Sequence, residues 1–101
     1  MNAEQARKLS EIHVNEEDVR RMIDAAIEDA ASNHHFESTS TRVDCDHDPK
    51  KVLESLRKDG FLCRCTLFKL HDYHYYQYEV CWAKYKDEKE NEKLRKKYED
   101  S

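Results

Sequence analysis

Apolar residues recur at helical spacing in the first third of the chain. Between residues 19 and 30 they follow an i, i+3, i+4, i+7 pattern that places side chains on one face of a helix: Val19, Met22, Ile23, Ala26, Ile27 and Ala30. Asn15 precedes a run of acidic residues and can accept hydrogen bonds from first-turn amides, so this helix is expected to begin at residue 16. The pattern therefore predicts an amphipathic helix packed on a core.

A second helix is predicted from the residues at its ends. Asp48 is a suitable N-cap, Pro49 is favoured at the first helical position, and Gly60 is suited to the position just past the end. We expect Phe61 to pack back onto Leu56 in a Schellman motif. The buried face of this helix is predicted to consist of Val52, Leu53 and Leu56.

Alternation with a period of two predicts three strands. The first covers 36–43, the second 61–70 and the third 74–82. The intervening His71, Asp72 and Tyr73 have the length of a hairpin loop, so the last two strands are expected to be antiparallel neighbours.

These elements predict a single α+β domain over 15–83, in the order helix, strand, helix, strand, strand. Two helices are expected to cover one face of a three-stranded sheet. Residues 1–14 have no strong cap and are predicted to form a loosely ordered arm. Residues 84–101 are densely charged, and between 84 and 100 the only apolar residues are Tyr85, Leu94 and Tyr98. We expect either a solvated helix or a disordered tail, and the composition favours the tail.

Composition narrows the class of protein. The 101 residues are 40% charged with one Gly, and no apolar run approaches the ~18 residues of a membrane span. The first residues do not resemble a signal peptide, so a cytoplasmic protein without membrane partners or a disulfide framework is expected. The net charge of −4 makes nucleic acid an improbable partner. Without a Gly-rich phosphate loop or a nucleophile elbow, we expect no enzyme.

The sheet face away from the helices is predicted to be open and to offer a contact surface for a protein or a second copy of the chain. Aromatic residues are concentrated in and near the hairpin, where those not used for core packing can contact a partner. The candidate contact residues are Arg64, Phe68, Tyr73, His74, Tyr75 and Gln77. An alternative is a nucleotide stacked on Tyr73, Tyr75 or Trp82, with Arg64 or Lys69 on its phosphate.

Cysteine and histidine residues raise the question of a metal. If a zinc ion were bound, its candidate ligands would be Cys45, His47, Cys63 and Cys65. A Cys-x-Cys pair within one strand points both sulfurs the same way, about 7 Å apart, which does not suit one ion. Cys63 and Cys65 are therefore interpreted as small core residues, and no cofactor is expected.

Residues 19 to 82 contain a recurring pattern of short motifs. These are Ile23-Asp-Ala-Ala-Ile27, a Ser/Thr-rich strand followed by Leu56-Arg-Lys-Asp-Gly60-Phe61, and Val80-Cys81-Trp82. In this pattern the chain resembles small early or accessory bacteriophage proteins. The resemblance implies a protein that binds and inhibits a host protein, or sequesters a signal molecule, in the host cytoplasm. The leading hypothesis is a non-enzymatic inhibitor that acts by protein-protein interaction; the alternatives are nucleotide sequestration and a small zinc-stabilised binding domain.

Overall fold

The structure, a computed structural model, describes residues 1–10, 15–43, 47–71 and 73–99. In chain order these ranges contain α1 (Ala3–Ser10), α2 (Glu16–Ser32), β1 (Glu37–Val43), α3 (Pro49–Lys58), β2 (Leu62–Leu70), β3 (Tyr73–Cys81) and α4 (Glu88–Glu99). The predicted α+β class is confirmed, and α1 and α4 are added to the two helices that the periodicity predicts. Among these helices, none has the length and apolar composition needed to cross a membrane.

The starts of α2 and α3 confirm the predicted caps. The Asn15 side chain accepts from the Asp18 backbone N–H at 3.0 Å, and the Asp18 carboxylate accepts from the Asn15 N–H at 3.4 Å, which is a capping box. Asp48 accepts from the Lys50 N–H at 3.0 Å, with Pro49 at the start of α3. First-turn amides that would otherwise lack partners are thus satisfied by side chains that the sequence identifies.

Schellman motifs end both helices. After α3, Gly60 has a positive φ of 91° and the Phe61 N–H donates to the Leu56 carbonyl at 3.1 Å, as predicted. After α2 the same role falls to His34, with φ of 63°, and the His35 N–H donates to the Ala30 carbonyl at 2.9 Å. The α2 end has no glycine to mark it in the sequence.

The three strands form one antiparallel sheet in the order β1-β3-β2. β3 is therefore the central strand and pairs with β2 as a hairpin and with β1 across a longer connection. Tyr73 pairs with Leu70, so Tyr73 belongs to β3 rather than to the predicted three-residue loop. The two-residue turn fits because His71 adopts the positive φ of 54° that short hairpin turns favour.

The core lies between the sheet and the pair α2 and α3. Its fully buried members come from both helices and from one face of β2 and β3: Val19, Ile23, Val52, Leu56, Cys63, Tyr78 and Val80. We call this sheet face the inner face. On β1 the register places Ser38 and Ser40 opposite Val80 and Tyr78, so serines face the core on that strand.

Helix α1 lies within the segment that the sequence analysis treats as a loosely ordered arm. The Gln5 N–H donates to the Asn2 side chain at 2.9 Å, and the Asn2 N–H donates to the Gln5 side chain at 3.0 Å. Asn2 and Gln5 therefore cap α1 reciprocally, a signal that the sequence analysis missed. Residues 11–14 lie outside the described residues.

The charged C-terminal segment forms α4, which corrects the expectation that it buries no face of its own. Tyr98 is only 3% exposed and Asn91 is also buried. The Asn91 side chain accepts from the Tyr85 N–H at 2.7 Å and donates to the Tyr85 carbonyl at 2.8 Å. Two buried side chains seven residues apart, together with this clamp on the preceding loop, hold a helix whose remaining surface is polar.

Candidate binding surface

The outer face of the sheet, opposite the core, is the predicted contact surface. Side chains of β2 and β3 alternate between the two faces, and cross-strand partners share a face. The three outer-face pairs in the middle of the hairpin are Arg64 with Glu79, Thr66 with Gln77, and Phe68 with Tyr75. The first pair lies nearer the start of β2 and the last nearer the turn.

Helix α4 covers the half of the outer face that contains Arg64. The prediction of an open face is therefore wrong for this half. Arg64 donates to the Glu79 carboxylate at 2.8 Å and to the Lys97 carbonyl at 3.4 Å. Its guanidinium also lies 5.7 Å from the centroid of the Tyr98 ring. Arg64, a predicted partner contact, is therefore engaged inside the protein.

Tyr98 gives the α4 contact a pH dependence. Several effects together raise the pKa of Tyr98 to about 12. Burial is the largest of them, and the neighbouring Cys81, Glu37 and Glu79 act in the same direction. As pH rises past about 10, the unfolded chain ionises this phenol first, so stability is lost between about pH 10 and pH 12.

We expect Tyr98→Phe to remove part of this alkaline destabilisation. The measurement is the free energy of unfolding in urea at about pH 9 and about pH 11 for both proteins. Cys65, whose pKa burial raises to about 11, titrates in the same direction in both and so cancels in the comparison. Equal alkaline losses in wild type and Tyr98→Phe would contradict the assignment.

The half of the outer face nearest the turn carries an aromatic pair, of which Phe68 is exposed and Tyr75 is half-buried. The Phe68 and Tyr75 rings are stacked, with centroids 5.2 Å apart and planes at 15°. Phe68 is 37% exposed, and Thr66 is exposed beside it while Gln77 is half-buried. We call Thr66, Phe68, Tyr75 and Gln77 the hairpin patch.

Two other predicted contact residues, His74 and Tyr73, are not part of the hairpin patch. His74 pairs with Lys69 and lies on the inner face, beyond the helices, where it is exposed. Tyr73 begins β3, and its side chain lies outside the described residues. The structure thus brings together Phe68, Tyr75 and Gln77 and separates them from His74 and Arg64.

Two of the candidate zinc ligands, His47 and Cys65, lie beside Tyr78. His47 Nε2 is 2.5 Å from the Tyr78 hydroxyl, and the His47 ring packs edge-on against Tyr76. Burial raises the pKa of Cys65 to about 11, although a hydrogen bond from Tyr78 acts to lower it. Within the described ranges no three His, Cys, Asp or Glu side chains converge as a metal site. Cys45 lies outside those ranges.

Two of the alternative stacking residues for a nucleotide, Tyr75 and Trp82, lie far apart. The Trp82 ring packs edge-on against Phe61, with centroids 6.1 Å apart, at the opposite end of β3 from Tyr75. About seven residues of extended chain separate Trp82 from Tyr75, which corresponds to roughly 23 Å. Tyr75 and Trp82 therefore cannot share one base, and a nucleotide would stack on one of them alone.

The sequence analysis missed a cavity of about 500 Å³ between the end of α2, the end of β3 and α4. Two exposed aromatic side chains, Phe36 and Tyr85, flank it. Its other lining residues are His34, His35, Glu37, Cys81, Ala83, Lys84 and Leu94. Tyr85 and Phe36 could have been noticed as aromatic residues at or beyond the ends of the predicted strands.

The hairpin patch combines apolar area with uncharged polar groups, which suits contact with a protein surface. Phe68 and Tyr75 hold each other's rings in place by stacking. Comparison with known proteins finds no family model, curated protein or solved structure that matches this chain.

Proposed function

We propose that this protein is a non-enzymatic binding module that acts by protein-protein interaction through the hairpin patch. The observation that carries the proposal is the Phe68–Tyr75 stack, in which Phe68 is exposed and Tyr75 half-buried, on the half of the outer face that α4 leaves uncovered. Aromatic anchors of this kind supply much of the energy at protein interfaces.

The position of the stack favours binding. Tyr75 lies on the central strand, which is paired on both sides, and Phe68 lies opposite it on β2. Rings that are already packed lose little side-chain freedom when a partner covers them, so less of the contact energy is offset. The resemblance to phage accessory proteins makes the proposed partner a host protein in the cytoplasm, inhibited by occupation of its own surface.

The proposal is tested by capture of the partner followed by affinity measurement. The tagged protein is cross-linked in cells of the native host, and the captured protein is identified and purified. We expect Phe68→Ala to weaken the affinity for that protein by about thirtyfold, the effect of losing a hot spot worth about 2 kcal/mol.

Tyr85→Ala is the matched control because Tyr85 is also an exposed aromatic residue but lies by α4, away from the patch. The affinity of Tyr85→Ala for the captured protein is expected to equal that of wild type. If Phe68→Ala and a Tyr75→Ala variant both bind like wild type while remaining folded, the hairpin patch is not the contact surface.

A further inference from the structure

β2 is an edge strand, so the backbone groups along one of its sides have no neighbouring strand to pair with. The Trp82 N–H donates to the Phe36 carbonyl of the β1 side, so even-numbered residues of β3 direct their backbone groups toward β1. Odd-numbered residues of β3 then bond β2, and their partners there are even-numbered. Cys63, Cys65, Leu67 and Lys69 consequently direct their N–H and C=O groups away from the sheet.

An independent contact agrees with this assignment. The Arg57 guanidinium donates to the Cys63 carbonyl at 3.2 Å, which requires that carbonyl to point outward from β2. Arg57 thus occupies the free edge at Cys63. In the described residues no backbone hydrogen bond is found for the outward groups of Cys65, Leu67 and Lys69.

The same stretch of β2 exposes large apolar side chains on both faces of the sheet. Leu67 lies on the inner face and is 44% exposed, and Phe68 lies on the outer face and is 37% exposed. A partner that docks on one face covers only one of them. A strand added alongside β2 places its own side chains next to both.

The surroundings of this edge are basic, although the chain as a whole has a net charge of −4. Lys69 lies toward the turn, and a groove of about 270 Å³ at the other end is lined by Arg57, Arg95 and one acidic residue, Glu99. Arg64 within the strand is already neutralised by Glu79. Both ends of the free edge therefore favour negative charge on whatever binds there.

We propose that the free edge of β2 binds an acidic, extended segment of a protein partner, which joins the sheet as a fourth strand. The inference rests on the proposed function and specifies how the partner binds. Backbone hydrogen bonds at Cys65, Leu67 and Lys69 supply the pairing, apolar side chains cover Leu67 and Phe68, and acidic residues at its ends meet Lys69 and the two arginines.

The β1 edge does not have these properties. Its outward groups belong to residues such as Thr39 and Thr41, whose side chains are small and polar. No described residue within β1 is an exposed large apolar side chain. β1 is therefore the internal control for the β2 edge.

The test uses the full-length protein and an acetylated, amidated peptide Glu-Glu-Val-Ile-Val-Glu-Glu. Its length matches β2 from Cys63 to Lys69, with apolar residues at the centre and carboxylates at both ends. Amide hydrogen exchange by NMR is expected to slow at Cys65, Leu67 and Lys69 and to stay unchanged at Thr39 and Thr41. The same peptide with lysine in place of glutamate is expected to bind at least about tenfold more weakly.

Two matched proline variants separate strand addition from other binding. Leu67→Pro removes an outward N–H and is compatible with an edge position, and it is expected to weaken peptide binding about tenfold more than Leu67→Ala, which removes the side-chain contact but keeps the N–H. Thr39→Pro makes the same change on the β1 edge and is expected to leave binding unchanged. If Leu67→Pro does not fold, the exchange pattern of the wild-type protein decides alone.

Three results would overturn the inference. Peptide binding without slowed exchange at Cys65, Leu67 and Lys69 would mean docking on a face, and the hairpin patch would stand without strand addition. Slowed exchange at these amides in a dimer without peptide would identify a second copy as the occupant. Absence of binding by the acidic peptide at millimolar concentration would remove the edge as a peptide site, whereas loss of partner binding in Phe68→Ala would still support the proposed function.

Discussion

Replacing Tyr98 with alanine is expected to detach α4 from the sheet. Tyr98 is the most deeply buried residue of α4, and the Arg64 guanidinium and the Lys97 ammonium group lie 5.7 Å and 5.4 Å from the centroid of its ring. Removing a buried aromatic side chain costs about 3 to 5 kcal/mol in protein cores. A helix of this length with so polar a surface is marginal without packing, so we expect α4 to unfold while the sheet remains.

Limited digestion with trypsin measures this effect, because α4 carries cleavable residues along its length: Lys89, Lys93, Arg95, Lys96 and Lys97. Tyr98→Ala is expected to be cut within α4 much faster than wild type, with loss of helical circular dichroism. Tyr85→Ala is the control, since Tyr85 is 51% exposed and belongs to the same segment. Cleavage of both variants at the wild-type rate would mean that Tyr98 does not hold the helix.

Leu56→Ala is expected to destabilise the whole domain by about 2 to 5 kcal/mol. Leu56 is fully buried, and its carbonyl also accepts the Phe61 N–H that closes α3. The substitution leaves a cavity between α3 and the inner face of the sheet. Because the total stability of small domains is about 5 to 15 kcal/mol, this one change removes a large part of it.

Leu67→Ala is the matched control for Leu56→Ala. Both substitutions remove the same side-chain atoms, but Leu67 is 44% exposed whereas Leu56 is fully buried. We expect its cost to be below about 1 kcal/mol. Urea unfolding of the two variants at one pH gives the comparison, and equal midpoints would contradict the position of the core.

The parts of the fold that the sequence predicts are those with local chemical causes. Asn15 and Asp48 start helices because their side chains reach the first amides, and Gly60 ends one because a positive φ is available to it. Alternation predicts the third strand, and the buried Tyr78 and Val80 lie two residues apart on one face of β3. These signals depend only on residues a few positions apart.

The parts that were missed depend on distant residues. The polar pattern of α4 gives no sign that Tyr98 lies against Arg64, a residue of β2. The serines of β1 face the core because pairing with β3 fixes the register, although the threonines beside them are better strand formers. Of the predicted contact residues, Phe68, Tyr75 and Gln77 are neighbours because they occupy consecutive outer-face pairs of one hairpin, which alternation alone can indicate.

The strand order β1-β3-β2 also has a consequence for how the chain assembles. The hairpin turn brings Leu70 and Tyr73 together after closing a very short loop, but β1 must wait for Val43 to meet Tyr75 and Glu37 to meet Cys81. Closing the longer loop costs more entropy, so we expect the hairpin to form before β1 docks. During synthesis β1 leaves the ribosome well before β3, and until β3 follows, the apolar stripes of α2 and α3 have no sheet to cover them. The newly made chain is therefore most open to chaperones and proteases in the interval between the synthesis of its first strand and that of its last.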